Sequence, residues 1–363
     1  MNSGRVLLVG GDSNAAGLTT PLSSVEWYNP NTGLFSGAGD MILARGNLVA
    51  AHLLDDTVLL AGGYGPSQAT YQTAELFDPA SAPAPDRTWL QLSAGGGPSG
   101  GAKPGIAYDA QHGGVVTFVN GNTWTWDGSA WTQQFSTTSP SSRSLTAMAY
   151  DGVRHEVVLF GGYNGISNLS DTWVWDGANW QQRFPAHVPG GRNGHALVFD
   201  SFRSEVVLFG GLDATFTTRL NDTWVWDGVD WTMRIPAASP GGVSQHGLAY
   251  DEVRHEVVLF GGAFSNPGET WVWNGTTWTN RTPSGSPGSR YSNAMTYDAD
   301  RGVVVLFGGI ASGFPSGETW EWNGATWTQK TSSSPGAVIA PALAYDGARH
   351  EVVMVGPGTW AYR

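Results

Sequence analysis

The stretch EVVLFGG at residues 156–162, followed by DTWVWDG at residues 171–177 and by Trp180, decides the fold of this chain. A short run of β-branched and aromatic residues that ends in a glycine pair is typical of a buried strand. The second run carries alternating tryptophans, and the Asp-Gly before Trp180 predicts a tight hairpin turn. With the preceding run at residues 147–151, this pattern predicts four short antiparallel strands, here called a to d.

The same pattern returns along the chain, at residues 197–231, 248–278 and 295–327. Weaker copies precede it, with glycine pairs at 10–11 and 62–63 and with Phe118-Val119-Asn120 in place of a glycine pair. Because repeats of this kind share one closed structure, the 363 residues predict a single domain over 1–363. We place a partial N-terminal blade at 1–41, a partial C-terminal blade at 336–363, and repeats near 44–92, 100–134, 141–183, 190–234, 241–281 and 288–330.

These repeats resemble those of the kelch family, in which a glycine pair closes the second strand and spaced aromatic residues mark the third and fourth. The resemblance covers essentially the whole chain, although the turn between Trp175 and Trp180 is shorter than usual. It implies an all-β fold, a kelch-type β-propeller of four-stranded antiparallel blades, with seven blades favoured and eight possible. Because the first and last repeats are incomplete, we expect imperfect closure or a chain that begins upstream, with residues 342–345 pairing with the N-terminal blade.

The composition excludes several classes of function. The net charge is -12 and the only lysines are Lys103 and Lys330, so nucleic acid is not an expected partner. No apolar run approaches the roughly 20 residues of a membrane helix, so we expect no membrane insertion. The absence of cysteine excludes disulfides and thiolate metal sites. We predict a monomer without a metal or cofactor. Few lysines and no visible leader leave localisation open, with an extracellular or periplasmic location favoured.

One predicted face of the propeller has nearly the same turn sequence in successive repeats. The a-to-b and c-to-d turns emerge together there, because consecutive strands run antiparallel. An Asp-x-x-Arg pattern recurs in the a-to-b turns, at Asp151/Arg154, Asp200/Arg203, Asp251/Arg254, Asp298/Arg301 and Asp346/Arg349. Because the pattern repeats, we interpret it as ion pairs that fix the turns. The same interpretation extends to His155, His255 and His350, which follow the arginine.

The other face, formed by the d-to-a and b-to-c loops, varies from repeat to repeat, and variable loops on a regular scaffold tend to bind. Aromatic and adaptable polar side chains suit a sugar or a peptide. The candidate ligand-binding residues are Arg45, Tyr64, Arg143, Tyr163, Arg192, Asn193, His195, Gln245, His246, Arg290, Tyr291 and Asn293, with Lys103 and Thr146 at similar positions. Alternatively, the arginines bridge blades or cap loop carbonyls, and the histidines make ordinary hydrogen bonds beside the channel.

The function expected from this pattern is binding of a peptide, protein or glycan, with acidic ligands favoured by the arginines. One alternative is a sugar-modifying isomerase or lyase that uses Arg and His at the channel mouth, and another is a structural module of a larger secreted or surface protein. The kelch family also includes a copper-radical galactose oxidase, whose Tyr–Cys cofactor a chain without cysteine cannot form. The Glu-x-x-x-Asp-x-x-x-His ligands of the iron-dependent specifier proteins are missing too, so we predict no catalytic residue and favour binding over catalysis.

Overall fold

The computed structural model describes residues 87–93, 96–98, 103–263, 268–331 and 335–363, and the strands of the first 86 residues. The chain divides into two compact units, Met1–Asp86 and Arg87–Arg363, where the sequence predicted one domain. All regular secondary structure in the described residues is β-strand. None of these residues forms a helix with the length and apolarity needed to cross a membrane.

The first unit contains three small antiparallel sheets. Their strands are β1 (Val6–Val9), β2 (Asp12–Ala15), β3 (Leu18–Pro21), β4 (Ser24–Asn29), β5 (Leu34–Asp40), β6 (Val49–His52), β7 (Val58–Ala61) and β8 (Ala74–Phe77). The sheet orders are β1-β4-β5, β2-β3 and β6-β7-β8. Val25 and Leu60 are buried in their sheets.

The second unit contains six four-stranded antiparallel sheets, the blades. Blades 1 to 3 are β10 (Gly105–Asp109), β11 (Gly114–Val119), β12 (Asn122–Trp126) and β13 (Trp131–Gln134); β14 (Ala147–Asp151), β15 (Glu156–Tyr163), β16 (Asn168–Trp175) and β17 (Trp180–Arg183); and β18 (Ala196–Asp200), β19 (Glu205–Leu212), β20 (Arg219–Trp226) and β21 (Trp231–Arg234).

Blades 4 to 6 are β22 (Gly247–Asp251), β23 (Glu256–Phe260), β24 (Thr270–Trp273) and β25 (Trp278–Asn280); β27 (Ala294–Asp298), β28 (Val303–Phe307), β31 (Thr319–Trp322) and β32 (Trp327–Lys330); and β33 (Ala342–Asp346), β34 (Glu351–Gly356), β35 (Gly358–Tyr362) and β9 (Trp89–Ser93). A small loop sheet joins β26 (Arg290–Tyr291), β29 (Ile310–Ala311) and β30 (Phe314–Pro315).

The six blades form a closed ring. The innermost strands of neighbouring blades pack against one another in succession, and β33 of blade 6 packs against β10 of blade 1. At every junction the first tryptophan of strand d donates its indole N–H to a strand c threonine of the preceding blade, at 2.7–2.9 Å. The pairs are Trp180–Thr123, Trp231–Thr172, Trp278–Thr223, Trp327–Thr270, Trp89–Thr319 and Trp131–Thr359.

The all-β propeller of four-stranded antiparallel blades is confirmed, and the structure shows how its ring closes. β9, which the repeat at 44–92 assigned to β6–β8, pairs instead with β35 and completes blade 6. β33, expected to pair with an N-terminal blade, is strand a of that same blade. The ring of the second unit therefore has six blades, where a count over the whole chain favoured seven. The repeat pattern assigns β9 to the sheet of its sequence neighbours, but β9 pairs with a strand from the other end of the chain and so closes the ring.

The glycine pairs have the backbone conformation and the close contacts that their position in the sequence predicts. Gly161 and Gly162 both have positive φ, and a Cβ on Gly161 would lie 2.9 Å from the Arg192 carbonyl oxygen of the next blade. In blade 1 the pair is replaced by Asn120 and Gly121, at φ 52° and 83°. Two positive φ values with Asn-Gly are typical of a type I′ hairpin turn, so blade 1 has a tight turn where blades 2 to 5 have a b-to-c loop. In blade 6 the corresponding turn is also tight, because only Pro357 separates β34 from β35.

Candidate functional site

Three rings of side chains line the central channel, each ring with one residue from every blade. Alternate residues of a strand share a face, so the innermost strands present side chains at every second position. The polar ring is Pro104, Thr146, His195, His246, Asn293 and Pro341. The constriction ring is Ile106, Met148, Leu197, Leu248, Met295 and Leu343. The aromatic ring is Tyr108, Tyr150, Phe199, Tyr250, Tyr297 and Tyr345.

The constriction ring contributes to two cavities. The polar chamber, on the d-to-a side, has a volume of about 90 Å³ and is lined by the polar ring and Lys103. The aromatic funnel, on the a-to-b side, has a volume of about 500 Å³. The two ends of one channel therefore offer different chemistry.

A belt of backbone hydrogen bonds holds the polar ring in place. The residue before each ring member has a positive φ, whatever its type: Lys103, Leu145, Gly194, Gln245, Ser292 and Ala340. From blade to blade these residues bond in series, Gly194 N to Leu145 O, Gln245 N to Gly194 O, Ser292 N to Gln245 O and Ala340 N to Ser292 O, at 2.6–3.1 Å. Left-handed backbone at non-glycine residues costs about 1–3 kcal/mol each, and it persists where surrounding structure enforces it.

The polar chamber contains buried polar atoms that have no partner among the described residues. They are Nδ1 of His195, both ring nitrogens of His246, and both amide atoms of Asn293. All three side chains belong to residues that are at least nine-tenths buried. His195 Nε2 donates to the Phe160 carbonyl oxygen at 3.1 Å, which leaves Nδ1 as an acceptor. Orphaned buried polar groups are costly, so such a cluster indicates a ligand or ordered water.

Lys103 brings a cation into the same chamber. Its ammonium group donates to the His246 carbonyl oxygen at 3.1 Å, which lies across the channel from blade 1. Burial lowers the pKa of Lys103 to about 8. Burial, together with the charge of Arg192, lowers the pKa of His195 to about 3, and burial also lowers that of His246. The chamber therefore carries one titratable cation and two neutral imidazoles at neutral pH.

The candidate arginines do not reach the chamber with free guanidinium groups. Arg143 binds Asp171 through two hydrogen bonds of 2.6 and 2.9 Å and also donates to the Gly161 carbonyl oxygen. Arg192 binds Asp222 and the Gly210 carbonyl oxygen in the same way, and Arg290 binds Glu318 at 2.5 Å. These contacts match the alternative interpretation of the sequence, in which the arginines cap loop carbonyl oxygens. Burial opposes the effect, but the hydrogen bonds and charge of Arg143 hold the pKa of Asp171 below its ordinary value.

The other candidates contact their own neighbours, or lie elsewhere. Asn193 Nδ2 donates to Asn168 Oδ1 at 2.7 Å, and the Gln245 amide oxygen accepts from the Ser292 hydroxyl. Tyr163 OH donates to the Gly165 carbonyl oxygen. Tyr291 lies in β26, paired with Ile310. Arg45 and Tyr64 lie outside the described residues. Of the candidates, His195, His246 and Asn293 come together in one cavity, with Lys103 and Thr146.

Comparison with known proteins supports the fold alone. The solved structure of a protein titled YjhT superimposes with a TM-score of 0.56 at 13% identity, over 74% of this chain and 95% of that one. No protein-family model matches the chain. No curated protein matches it either. A shared fold does not determine function, so the role of this chain has to be argued from the site.

The Asp-x-x-Arg pattern on the opposite face consists of ion pairs, as predicted, and it also joins blades. Arg154, Arg203 and Arg349 each bind their own aspartate at 2.6–2.7 Å and reach a carbonyl oxygen of the next blade. Between blades 5 and 6 that place is taken by Arg87, which binds Asp298 and the His350 carbonyl oxygen. His155, His255 and His350 have positive φ, between 54° and 58°, at the ends of these turns.

Sequence reasoning missed the aromatic funnel. Its signal was present, because a tyrosine or phenylalanine precedes the turn aspartate in each of the six copies, as in Tyr108-Asp109 and Phe199-Asp200. Because that aromatic residue recurs in every copy, the sequence pattern indicates a structural residue of the repeat and not a binding residue. Only the ring shows that the six side chains meet around one cavity.

Proposed function

We propose that this propeller is a ligand-binding module whose d-to-a face receives an acidic, hydroxyl-bearing group in the polar chamber, as the end of an acidic glycan would supply. The observation that supports it best is the clustering of Lys103 with the unpartnered atoms of His195, His246 and Asn293 in one cavity. A chamber of about 90 Å³ suits one substituent of a larger ligand, with the rest on the loop face.

The donor and acceptor pattern favours a sugar acid over a simple anion. The Lys103 ammonium and the Asn293 amide can donate to a carboxylate. His195 Nδ1 can only accept while Nε2 donates to Phe160, so it calls for a ligand donor such as a hydroxyl. A cation in a water-poor cavity gives a stronger interaction than the same charge on the surface. In this proposal Lys103 provides the cation that the arginines were expected to provide.

We also propose that the propeller is of the kelch type. Four blades carry a glycine pair at the end of strand b, and each pair has positive φ: Gly161/Gly162, Gly210/Gly211, Gly261/Gly262 and Gly308/Gly309. With the repeated strand c and d tryptophans, this supports the resemblance seen in the sequence. An acidic peptide remains a distinct ligand class, which the experiment below separates from a glycan.

The test is an array that carries acidic glycans, their neutral counterparts and acidic peptides, read with purified protein. We expect acidic glycans to bind and their neutral counterparts to bind more weakly. Lys103→Met should lose this preference, whereas Lys330→Met, which removes the other lysine, on an outer strand, should keep it. His246→Phe should weaken binding, and His187→Phe, an exposed histidine, is its control.

Each other outcome on the array has a definite meaning. Binding confined to acidic peptides would keep the chamber as the site but reject the sugar. Equal binding by Lys103→Met and Lys330→Met would reject the chamber. Absence of any specific ligand would reject the proposed function.

A further inference from the structure

The aromatic funnel is a second cavity on the face opposite the proposed site. Its floor is the apolar constriction ring and its wall is the aromatic ring, so it is much less polar than the chamber at the other end. Neighbouring turns hold some of the rings. Tyr150 OH accepts the Gln111 backbone N–H at 3.1 Å, and Tyr250 OH accepts that of Phe202 at 3.3 Å. The hydroxyl groups of these two tyrosines therefore already have hydrogen-bond partners.

The rim of the funnel carries one carboxylate. The residue two positions after the aromatic one is Ala110, Gly152, Ser201, Ala299 or Gly347 in five blades and Glu252 in the sixth. Glu252 is exposed, and its carboxylate has no salt-bridge partner among the residues the structure describes. Partial burial and the charge of Asp251 raise the pKa of Glu252, and His255 opposes this effect. The nearby turn aspartates are bound instead by their own arginines, or by His112 in blade 1. Glu252 is thus the departure from an otherwise uniform repeat.

Exposed apolar side chains follow the rim residues Gly152, Ser201 and Glu252 directly in sequence. Val153, Phe202 and Val253 project from the a-to-b turns of blades 2, 3 and 4 and are more than half exposed. Blade 4 is also the blade that carries Glu252. Aromatic rings attract organic cations through their negative faces, and a nearby carboxylate adds to that attraction.

From these features we infer that the aromatic funnel is a binding site for an organic cation, an ammonium group carried on an apolar or aromatic body. The apolar body would lie against the aromatic and constriction rings, with the ammonium group towards Glu252. The inference is independent of the proposed function, because the two cavities lie on opposite sides of the constriction ring.

The test uses benzyltrimethylammonium as the probe and benzyl alcohol as its neutral control, with methionine methyl resonances as reporters. Met148 and Met295 belong to the constriction ring, which lines both cavities, whereas Met233 and Met354 line neither, and the variants below assign a shift to the funnel or to the chamber. We expect benzyltrimethylammonium to shift the first pair and not the second. Glu252→Gln should weaken binding about three- to five-fold, the size of effect expected for losing an exposed ion pair. Asp213→Asn, which removes a loop carboxylate elsewhere, should have no effect.

Further variants separate this inference from the proposed function. Lys103→Met and His246→Phe should leave benzyltrimethylammonium binding intact, and Glu252→Gln should leave glycan binding intact. Phe199→Leu removes a ring from the funnel and should weaken the cation, and far-ultraviolet circular dichroism checks that it folds. Equal affinity for the cation and benzyl alcohol, unchanged affinity in Glu252→Gln, or no shift of Met148 and Met295 would each overturn the inference.

Discussion

At the scale of single residues, position matters more than residue type in this propeller. Arg192 and Lys103 are both cations beside the d-to-a face, but Arg192 is 2% exposed and held by Asp222, while Lys103 extends into the channel. The sequence could place both residues near the mouth. It could not show which one was already neutralised, because Asp222 comes from a strand thirty residues further on.

The structural role of Arg192 predicts a loss of stability. Arg192→Ala leaves Asp222 and the Gly210 carbonyl oxygen without their partner, and breaking a buried pair costs roughly 3 kcal/mol. Arg234→Ala removes an arginine whose side chain is 41% exposed, and should cost less than about 1 kcal/mol. Urea unfolding of both variants measures the difference. Equal costs would contradict the assignment of Arg192 as a buried clamp.

The pKa of Lys103 predicts a pH dependence of binding. With a pKa of about 8 in the folded protein, the ammonium is charged below that pH and neutral above it. Affinity for an acidic glycan should therefore fall as pH rises through about 8, and Lys103→Met should remove this fall. Because the pKa values of His195 and His246 are lowered, no second change is expected between pH 5 and 7. Titration of affinity against pH would reject the assignment if Lys103→Met kept the step.

The lowered pKa of Lys103 makes the stability of the protein rise with pH, whereas the affinity for an acidic glycan falls. Between pH 8 and the ordinary lysine pKa, the unfolded chain binds a proton that the folded chain does not. Stability linked to Lys103 should therefore rise with pH in this window, as the buried charge is relieved. Comparing wild type with Lys103→Met by urea unfolding at pH 7 and pH 10 isolates the contribution of this residue.

At the scale of elements, the glycine pairs make the close approach of successive blades possible. Gly210 has φ 63°, and a Cβ there would lie 2.7 Å from the Val243 carbonyl oxygen of the next blade. The repeat made a backbone role for these glycines predictable from the sequence. The partner carbonyl was not predictable, because it belongs to a loop that varies from blade to blade.

This close approach predicts a difference between two glycines. Gly210→Ala should destabilise the protein by about 1–3 kcal/mol, through backbone strain and displacement of the Val243 loop. Gly190→Ala is the control, because no atom lies within 4 Å of its Cβ position, and its effect should stay within about 0.5 kcal/mol. Thermal unfolding of the two variants measures both. A tolerated Gly210→Ala would contradict the packing described for the glycine pair.

At the scale of the whole molecule, the sequence predicted the class of fold and the composition of the blades, but not their number or closure. The sequence patterns that define strands a to d were sufficient to predict blades 1 to 5, because the four strands of each of these blades follow one another along the chain. Closure depends on Trp89–Ser93 pairing with a strand at the far end of the chain. The polar chamber was predictable in part, since His195, His246 and Asn293 share one repeat position, whereas the aromatic funnel required the six copies to be assembled around one axis.

The closed ring of six blades is the claim on which both cavities depend, and cross-linking tests it most directly. The chain has no cysteine, so an introduced pair reports without background. Leu90 and Ala361 are register partners across β9 and β35, and facing residues in antiparallel strands lie within disulfide range. We predict that Leu90→Cys with Ala361→Cys oxidises readily, seen as altered mobility of the denatured chain. Cross-linking of Leu90→Cys with Leu76→Cys instead, the pairing implied by the repeat at 44–92, would contradict the six-bladed ring.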